Sequence, residues 1–237
     1  MKPRHHPKTL INLKSLPRSK REIVRRQLFS LYEKRTVHVI PIILRNKLAD
    51  NNGYPVMSVD EVLKRLGRTQ KRFAQVGIDV TWETPVVCDP PSGVDLSDGL
   101  TVRTNENDHV LAPEARTLVD VCGTTNTIED IHIFYVTSLD AGTDNPPGGM
   151  AVTSNWFSGP AEAPYLYNVF IKTSPWPEWT GCALAHELGH LLGNPYHAPE
   201  KWRVMHGGID LSGVCGSRRF VTGEETNMYG DSHAQQQ

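Results

Sequence analysis

The sequence predicts a single domain of the α/β class, and three observations lead to this fold class. An apolar β-branched stretch, an amphipathic helical pattern and a second apolar stretch follow one another between residues 37 and 82, the order that parallel neighbouring strands require. Two more apolar stretches come later, and the second precedes a histidine-bearing helix. With 237 residues, 38% of them hydrophobic, the chain can bury one sizeable core. No apolar run is long enough to cross a membrane.

Residues 1–35 form a basic arm ahead of the domain that we place at 36–237. The arm carries eleven Lys and Arg against two Glu. The segment Ser19-Lys20-Arg21-Glu22 is typical of a capping box, so we expect a helix that packs an apolar stripe on the domain and exposes its basic face. A removable pro-segment, a membrane-surface contact and a nucleic-acid contact are the alternatives. We expect no nucleic acid, because the arm has almost no aromatic residues to stack on bases.

The first elements of the domain are a strand, a helix and a strand. Residues 37–44 are apolar and β-branched, and Pro41 within them predicts a sheet edge or a bulge, since proline has no N–H for a ladder. Ser58-Val59-Asp60-Glu61 is a capping box, and the helical spacing that follows stops at Gly77. The next strand begins at residues 80–82. We expect the two strands to be parallel neighbours joined by a right-handed crossover.

The middle of the chain gives weaker indications. Residues 84–127 are rich in Pro, Gly, Asp and Asn, with a short helix predicted at 113–121. Residues 131–136 are the clearest central strand, and residues 168–171 are another. Between them, residues 148–154 follow a Pro-Gly turn and predict a shorter strand.

The most informative pattern is His186-Glu187-Leu188-Gly189-His190. On a helix the two histidines lie on one face, one turn apart, close enough to bind a single metal ion. Glu187, beside the first histidine, can reach a water on the metal without binding the metal itself. The opposite face is apolar, so the pattern predicts a helix that is buried on one side and carries a zinc site on the other. That face consists of Ala183, Leu184, Leu188, Leu191 and Leu192.

The residues that follow supply a third ligand candidate. Gly193 can end the helix in a left-handed conformation, and Pro195 bends the chain so that His197 can return to the same ion. Three histidines leave the fourth position of a tetrahedral site open for water, as catalytic zinc requires. Tyr196 and His206 compete for the third position, but phenolate is a rarer zinc ligand than imidazole, and we prefer His197.

These residues resemble the metzincin metallopeptidases, whose pattern is His-Glu-x-x-His-x-x-Gly-x-x-His followed by a methionine-containing turn. Here the third histidine falls one residue late, because Tyr196 takes the usual position and His197 follows it. Met205 lies eight residues beyond His197, a separation similar to that of matrix metalloproteinases. A one-residue insertion after Gly193 accounts for both facts. The resemblance implies that Met205 forms an apolar floor beneath the metal without binding it.

The resemblance implies a metzincin-like zincin fold with a twisted, mostly parallel sheet, an antiparallel edge strand, a zinc-binding helix and an irregular C-terminal part. In order of elements it extends over residues 37–210, although only residues 186–205 are specific to it. The edge strand would bind an extended substrate through its main chain. Its residues are Gly149, Met150, Ala151 and Val152. The implied function is that of a hydrolase, a zinc-dependent endopeptidase with one catalytic Zn²⁺, Glu187 as general base, and a protein or peptide substrate.

Two alternatives remain at this stage. The third ligand of a zincin can be a glutamate from a later helix, and Glu224 or Glu225 lies in the right direction along the chain. In the other alternative the chain is a non-catalytic binding module that zinc stabilises. Glu187 argues against the second alternative, because a structural site needs no base and tends to close its fourth position.

The four cysteines are Cys88, Cys122, Cys182 and Cys215, with no Cys-x-x-Cys spacing. Two disulfides are expected if the protein is exported, and we prefer to pair Cys182 with Cys215, on either side of the zinc helix and the methionine turn. Four free thiols are the alternative, and a Cys122 thiolate that latches the zinc is disfavoured. No apolar signal core follows the basic N-terminus, so the sequence leaves the compartment open, with an extracellular location preferred.

Overall fold

A mostly parallel sheet forms the centre of the fold. The computed structural model describes residues 35–45, 57–96, 99–103, 110–123, 130–140, 148–153, 157, 161–173, 177–193, 204–205 and 235–236. The helices are α1 (Val59–Phe73), α2 (Pro113–Cys122) and α3 (Pro177–Leu191). The strands are β1 (Arg35–Leu44), β2 (Ile78–Trp82), β3 (Val86–Cys88), β4 (Leu100–Thr101), β5 (Ile131–Val136), β6 (Leu139–Asp140), β7 (Gly149–Val152), β8 (Asn168–Lys172) and β9 (Gln235–Gln236).

The main sheet has the strand order β2-β1-β5-β8-β7, and β3 and β9 also pair with β1. The pairs of β1 with β2, β3 and β5, and of β5 with β8, are parallel, whereas β7 runs antiparallel to β8. Strands β4 and β6 form a separate parallel pair. The predicted α/β class, with a mostly parallel sheet and an antiparallel edge strand, is therefore confirmed.

Helix α1 begins and ends where the sequence predicts. The Ser58 hydroxyl accepts a hydrogen bond from the Glu61 backbone N–H, and the Glu61 carboxylate accepts one from the Ser58 N–H. The chain leaves the helix through one 3₁₀ turn, Ala74–Val76, to Gly77, which has a φ of 76°. Most residues pay a steric cost at such a positive φ, and glycine does not. The helix then delivers the chain to β2, parallel to β1 as expected.

The sequence predicts an edge or a bulge at Pro41, and the edge is wrong, because β1 is an interior strand with continuous register to β5. The bulge agrees with the register toward β2 and β3, where Val39 pairs with Trp82 and Ile42 with Val86, so the chain from β2 to β3 has one residue more than β1. On that side, the Val39 carbonyl accepts a hydrogen bond from the Glu83 N–H, and the Arg45 N–H donates to the Cys88 carbonyl. Alternate residues of a strand direct their main-chain groups to the same side. The position of the missing N–H of Pro41 therefore faces the interval between β2 and β3, where no ladder bond is needed.

Both faces of the sheet are covered by buried side chains. On one face α1 and α3 pack over β1, β2, β5 and β8, with Leu66, Phe73, Leu184 and Leu188 among the fully buried residues. The other face packs against α2 and the β4 region, through residues such as Leu118 and Phe134. Strand β5 contributes to both cores and is buried along its whole length, as its run of apolar residues, interrupted by His132 alone, predicts. Helix α3, which carries the predicted zinc ligands, is therefore part of the larger core.

Strand β7 is at the end of the sheet order and pairs with β8 alone among the described strands. The carbonyls of Gly148 and Val152 accept hydrogen bonds from the N–H groups of Lys172 and Tyr167. By the alternation of a strand, the main-chain groups of Gly149 and Ala151 are directed away from β8.

Helix α2 is fixed near both of its ends, by a disulfide at one and by an ion pair at the other. A disulfide joins Cys122 at its last turn to Cys88 on β3, with a Cα–Cα distance of 5.9 Å, which is typical of such a bond. Near its start, the Arg116 guanidinium forms an ion pair with Glu162, which is 2% exposed. The Glu162 carboxylate also accepts a hydrogen bond from the Leu111 N–H. These contacts hold Glu162, which lies between β7 and β8 in the chain, against α2.

The disulfide corrects two of the cysteine hypotheses. The free-thiol alternative is wrong for Cys88 and Cys122, which are bonded to each other. A Cys122 thiolate latch is wrong for the same reason, because a disulfide sulfur has no thiolate to offer a metal. The preferred pair, Cys182 with Cys215, lies outside the described side chains and stays a prediction.

The predicted arm helix also lies outside the described residues, and Arg35, the last residue assigned to the arm, is the first residue of β1. In the part of the chain that the structure describes, no helix combines the length and the apolar character that crossing a membrane would require.

Candidate active site

Helix α3 carries the predicted site and is held by the larger core. Its described residues Leu184, Ala185, Leu188 and Leu191, with Leu192 just after it, are buried at 3% exposure or less. The helix ends as predicted, because Gly193 has a φ of 92° and its N–H donates to the His190 carbonyl. A rigid helix therefore presents His186, Glu187 and His190.

The two site histidines point their Nε2 atoms at the same place. The His186 Nε2 and the His190 Nε2 are 3.0 Å apart, and the rings meet edge to face with centroids 4.6 Å apart. Two nitrogens bound to one tetrahedral zinc, at about 2.0–2.1 Å each, lie about 3.3 Å from each other. The geometry of the pair therefore fits two ligands of a single ion.

The ring of His186 is fixed by a main-chain carbonyl. Its Nδ1 is 2.8 Å from the Val204 oxygen. Because a carbonyl only accepts hydrogen bonds, Nδ1 carries the proton and the neutral ring has a lone pair at Nε2. A metal ligand needs that lone pair, and a carbonyl behind the ring is the usual way in which histidine ligands are oriented.

The carbonyl that holds His186 belongs to Val204, the residue directly before Met205 of the predicted methionine turn. Val204 and Met205 are turn residues at 1% and 0% exposure, and both belong to the core cluster that contains Leu188 of α3. Met205 therefore lies one residue from the carbonyl that holds His186. The role of Met205 as an apolar floor for a metal stays a prediction.

Glu187, on α3, is 8% exposed, and its side chain lies against β7. Burial raises the pKa of its carboxyl to about 8, and a hydrogen bond from the Ala151 backbone N–H opposes that shift. Desolvation disfavours the charged carboxylate, and a donated hydrogen bond favours it. The predicted base, Glu187, is thus largely shielded from solvent, and a hydrogen bond from β7, the predicted substrate-binding strand, orients its carboxyl.

The predicted strand residues lie beside α3. Gly149, Ala151 and Val152 are buried, and Met150 is partly buried. Ala151 packs in the core cluster that includes Leu184 and Leu188, and Gly149 lies against Glu187. The structure therefore brings together β7, Glu187, His186, His190 and Met205.

The remaining ligand candidates all lie outside the described residues. These are Tyr196, His197, His206, Glu224 and Glu225. Within the described ranges, no group of three or more His, Cys, Asp or Glu side chains is arranged to hold a metal. What the described residues contain is two histidines whose Nε2 atoms lie close together and the Val204 carbonyl that holds one of the rings.

Two contacts of the site were not predicted from the sequence. Both the Val204 carbonyl and the Ala151 N–H are main-chain groups, which every residue has, so residue type does not reveal them. The position of Val204 directly before Met205 was the one available indication for the first contact. The second depends on how β7 lies against α3.

Comparison with known proteins adds little to this geometry. No protein-family model and no curated protein matches the chain. Among solved structures, it is similar to metalloproteinase-II from Bacteroides fragilis, with a TM-score of 0.49 and 13% identity, over 84% of this chain and 54% of that one. It is also similar to a chain in a chaperone-substrate complex, with a TM-score of 0.49 and 11% identity, over 83% of this chain and 33% of that one. This chain thus spans about half of the first protein and a third of the second. At these TM-scores neither similarity bears on chemistry.

Proposed function

We propose that this chain is a zinc-dependent endopeptidase of the metzincin type. The observation that supports it most is the pair of Nε2 atoms 3.0 Å apart on His186 and His190, with the buried carboxyl of Glu187 between them in sequence. Because the Val204 carbonyl binds the Nδ1–H of His186, the Nε2 of this ring has a free lone pair for a metal. If the two histidines only formed a hydrogen bond with each other, the burial of an acidic residue next to them in the sequence would have no explanation.

In this proposal His186, His190 and His197 hold the metal, and Met205 supports the site from the core. Bound zinc supplies a Lewis acid that polarises the scissile carbonyl and lowers the pKa of water. Glu187 accepts the proton of the attacking water on its carboxylate and then donates it to the leaving amine.

Strand β7 is the proposed substrate-binding strand. Gly149 and Ala151 direct their main-chain groups away from β8, the direction in which an extended peptide could add. Ala151 already donates its N–H to Glu187, so a bound peptide would pair with this strand without that donor.

The first prediction separates metal binding from chemistry. Purified protein should contain about one zinc per chain. Glu187→Gln keeps the size of the side chain and removes the base, so it should retain zinc while peptide cleavage falls by a factor of about 10³ or more. Glu83→Gln is the matched control, because Glu83 is 63% exposed at its side chain, and this variant should cleave at the wild-type rate.

Metal analysis and digestion of a peptide library by the three proteins check this prediction. Near wild-type cleavage by Glu187→Gln would refute the role of the base. A wild-type protein that holds zinc and cleaves no peptide would refute the endopeptidase and leave a binding module stabilised by zinc.

A further inference from the structure

Gly149 of β7 lies against the side chain of Glu187, the proposed general base. A Cβ built on Gly149 would be 2.8 Å from Glu187 Cγ, 3.1 Å from Glu187 Oε1 and 2.8 Å from Ile171 Cδ1. Real Cβ atoms do not approach other heavy atoms closer than 3.0 Å, since packed interiors leave no room for such overlap. Any side chain at residue 149 would therefore displace the Glu187 side chain, Ile171 or both.

The reason for glycine at this position is space. The described glycines with positive φ are Gly77, Gly93, Gly99 and Gly193, and Gly149 is not among them. Alanine could therefore adopt the backbone conformation of residue 149 without strain. What it could not do is fit beside Glu187.

Strand β7 makes a second contact with the same carboxyl two residues later, where the Ala151 N–H donates to Glu187. Residues 149 and 151 lie on the same face of the strand. One therefore leaves room for the carboxyl, and the other donates a hydrogen bond that fixes its direction.

We propose that β7 positions the general base, with Gly149 as a positioning residue that acts through Glu187. The catalytic part of this inference rests on the proposed function, and the steric part does not. It gives β7 a role besides the proposed pairing with substrate: the same strand also sets the orientation of the group that activates water.

The kinetic test is Gly149→Ala. A displacement of Glu187 by a fraction of an ångström to 1 Å should lower kcat by roughly 100-fold. KM should stay within about twofold, because the main-chain groups of residue 149 that could pair with substrate are retained. Zinc content should be unchanged. Gly67→Ala is the matched control, since a Cβ at Gly67 in α1 meets nothing within 4 Å, and it should have wild-type kinetics.

The steric test is a double-mutant cycle on the thermal unfolding of the zinc-loaded protein. Gly149→Ala should lower the Tm by about 5 °C in the wild type and in Glu187→Gln, which has the same shape. In Glu187→Ala, which lacks Cγ and the carboxyl oxygens, the same substitution should lower the Tm by no more than about 2 °C.

Each outcome decides the proposal. An equal Tm loss in all three backgrounds would place the clash at Ile171 and overturn it, and so would a raised KM with unchanged kcat, which would leave Gly149 a substrate-binding residue only. If the wild type cleaves no peptide, the proposed function fails, while the thermal cycle still decides whether Gly149 positions Glu187.

Discussion

His186 is the site residue whose state the structure defines most closely. Its Nδ1 is 2.8 Å from the Val204 carbonyl oxygen, and its Nε2 is 3.0 Å from the His190 Nε2. A ring held at both nitrogens cannot turn without losing a hydrogen bond. A metal ion bound by both histidines would therefore have to lie beside their two Nε2 atoms, and a third ligand would have to reach the same place.

The third ligand is the residue-scale prediction. We expect His197→Ala to lose zinc, because two imidazoles alone bind the ion much more weakly than three. Tyr196→Phe removes only a hydroxyl and should keep metal and activity. Glu225→Gln, the test of the glutamate alternative, should behave like Tyr196→Phe. Zinc content after dialysis against a weak chelator measures all three.

Zinc loss in Tyr196→Phe with retention in His197→Ala would mean that the resemblance has been aligned one residue out. Zinc loss in Glu225→Gln with retention in His197→Ala would make the chain a zincin with a glutamate ligand. His186→Ala is the reference for full loss.

At the scale of elements, the site depends on the contact between α3 and β7. Helix α3 buries Leu184 and Leu188 in the core and presents Glu187 to β7. Strand β7 is in turn joined to β8, and the segment between them is held to α2 through Glu162 and Arg116. Helix α2 thus supports the β7 end of the sheet from the face opposite α3.

The disulfide of α2 is the element-scale prediction. Cys88 and Cys122 are separated by 34 residues, and the loss of that cross-link should release about 4 kcal/mol of unfolded-state entropy. Replacing both with Ser should therefore lower the Tm by about 10 °C, measured by circular dichroism. The zinc content should stay the same, because both cysteines pack in the smaller core, on the face of the sheet opposite α3.

The reductant TCEP supplies the control. It should lower the Tm of the wild type by a similar amount. Any further loss that TCEP causes in the double variant would report a second disulfide, as expected for Cys182 and Cys215. A double variant as stable as the oxidised wild type would contradict the stabilising role of the cross-link.

At the scale of the whole molecule, the site lies where the larger core meets the end of the sheet. The sheet is covered by α1 and α3 on one face and by α2 on the other. Because α3 and the Val204-Met205 turn belong to the same core cluster, a metal held by His186 would stabilise the packing of that whole face. Zinc removal should therefore lower the free energy of unfolding of the whole domain.

Chelation is the whole-molecule prediction. A ligand that binds only the native state at about 1,000 times its Kd contributes about 4 kcal/mol. EDTA should then lower the Tm of the wild type by about 10 °C, and added zinc should restore it. His186→Ala should start at the lower Tm and show no shift. An equal shift in His186→Ala would mean that EDTA acts on a different metal site.

Much of the fold could be predicted from local patterns. The capping box at Ser58, the stop at Gly77 and the apolar run at 131–136 each depend on residues close in sequence. The position of Pro41 in an interior strand could not be predicted, because what faces its missing N–H depends on where β2 ends and β3 begins. Strand β3 was missed for a related reason, since three residues amid Pro, Gly and Asp carry little periodicity.

The sequence by itself determined the chemistry of the candidate site. Residue type and spacing place His186, Glu187 and His190 on one helix and Gly193 at its end, because helical geometry relates positions a few residues apart. Only the tertiary structure decided what surrounds them: the Val204 carbonyl at Nδ1 of His186, the Ala151 N–H at Glu187, and the space that Gly149 leaves. These are contacts of main-chain atoms, or of an absent side chain, between segments far apart in the chain. No local pattern specifies such contacts, because they exist only after the sheet and α3 have packed.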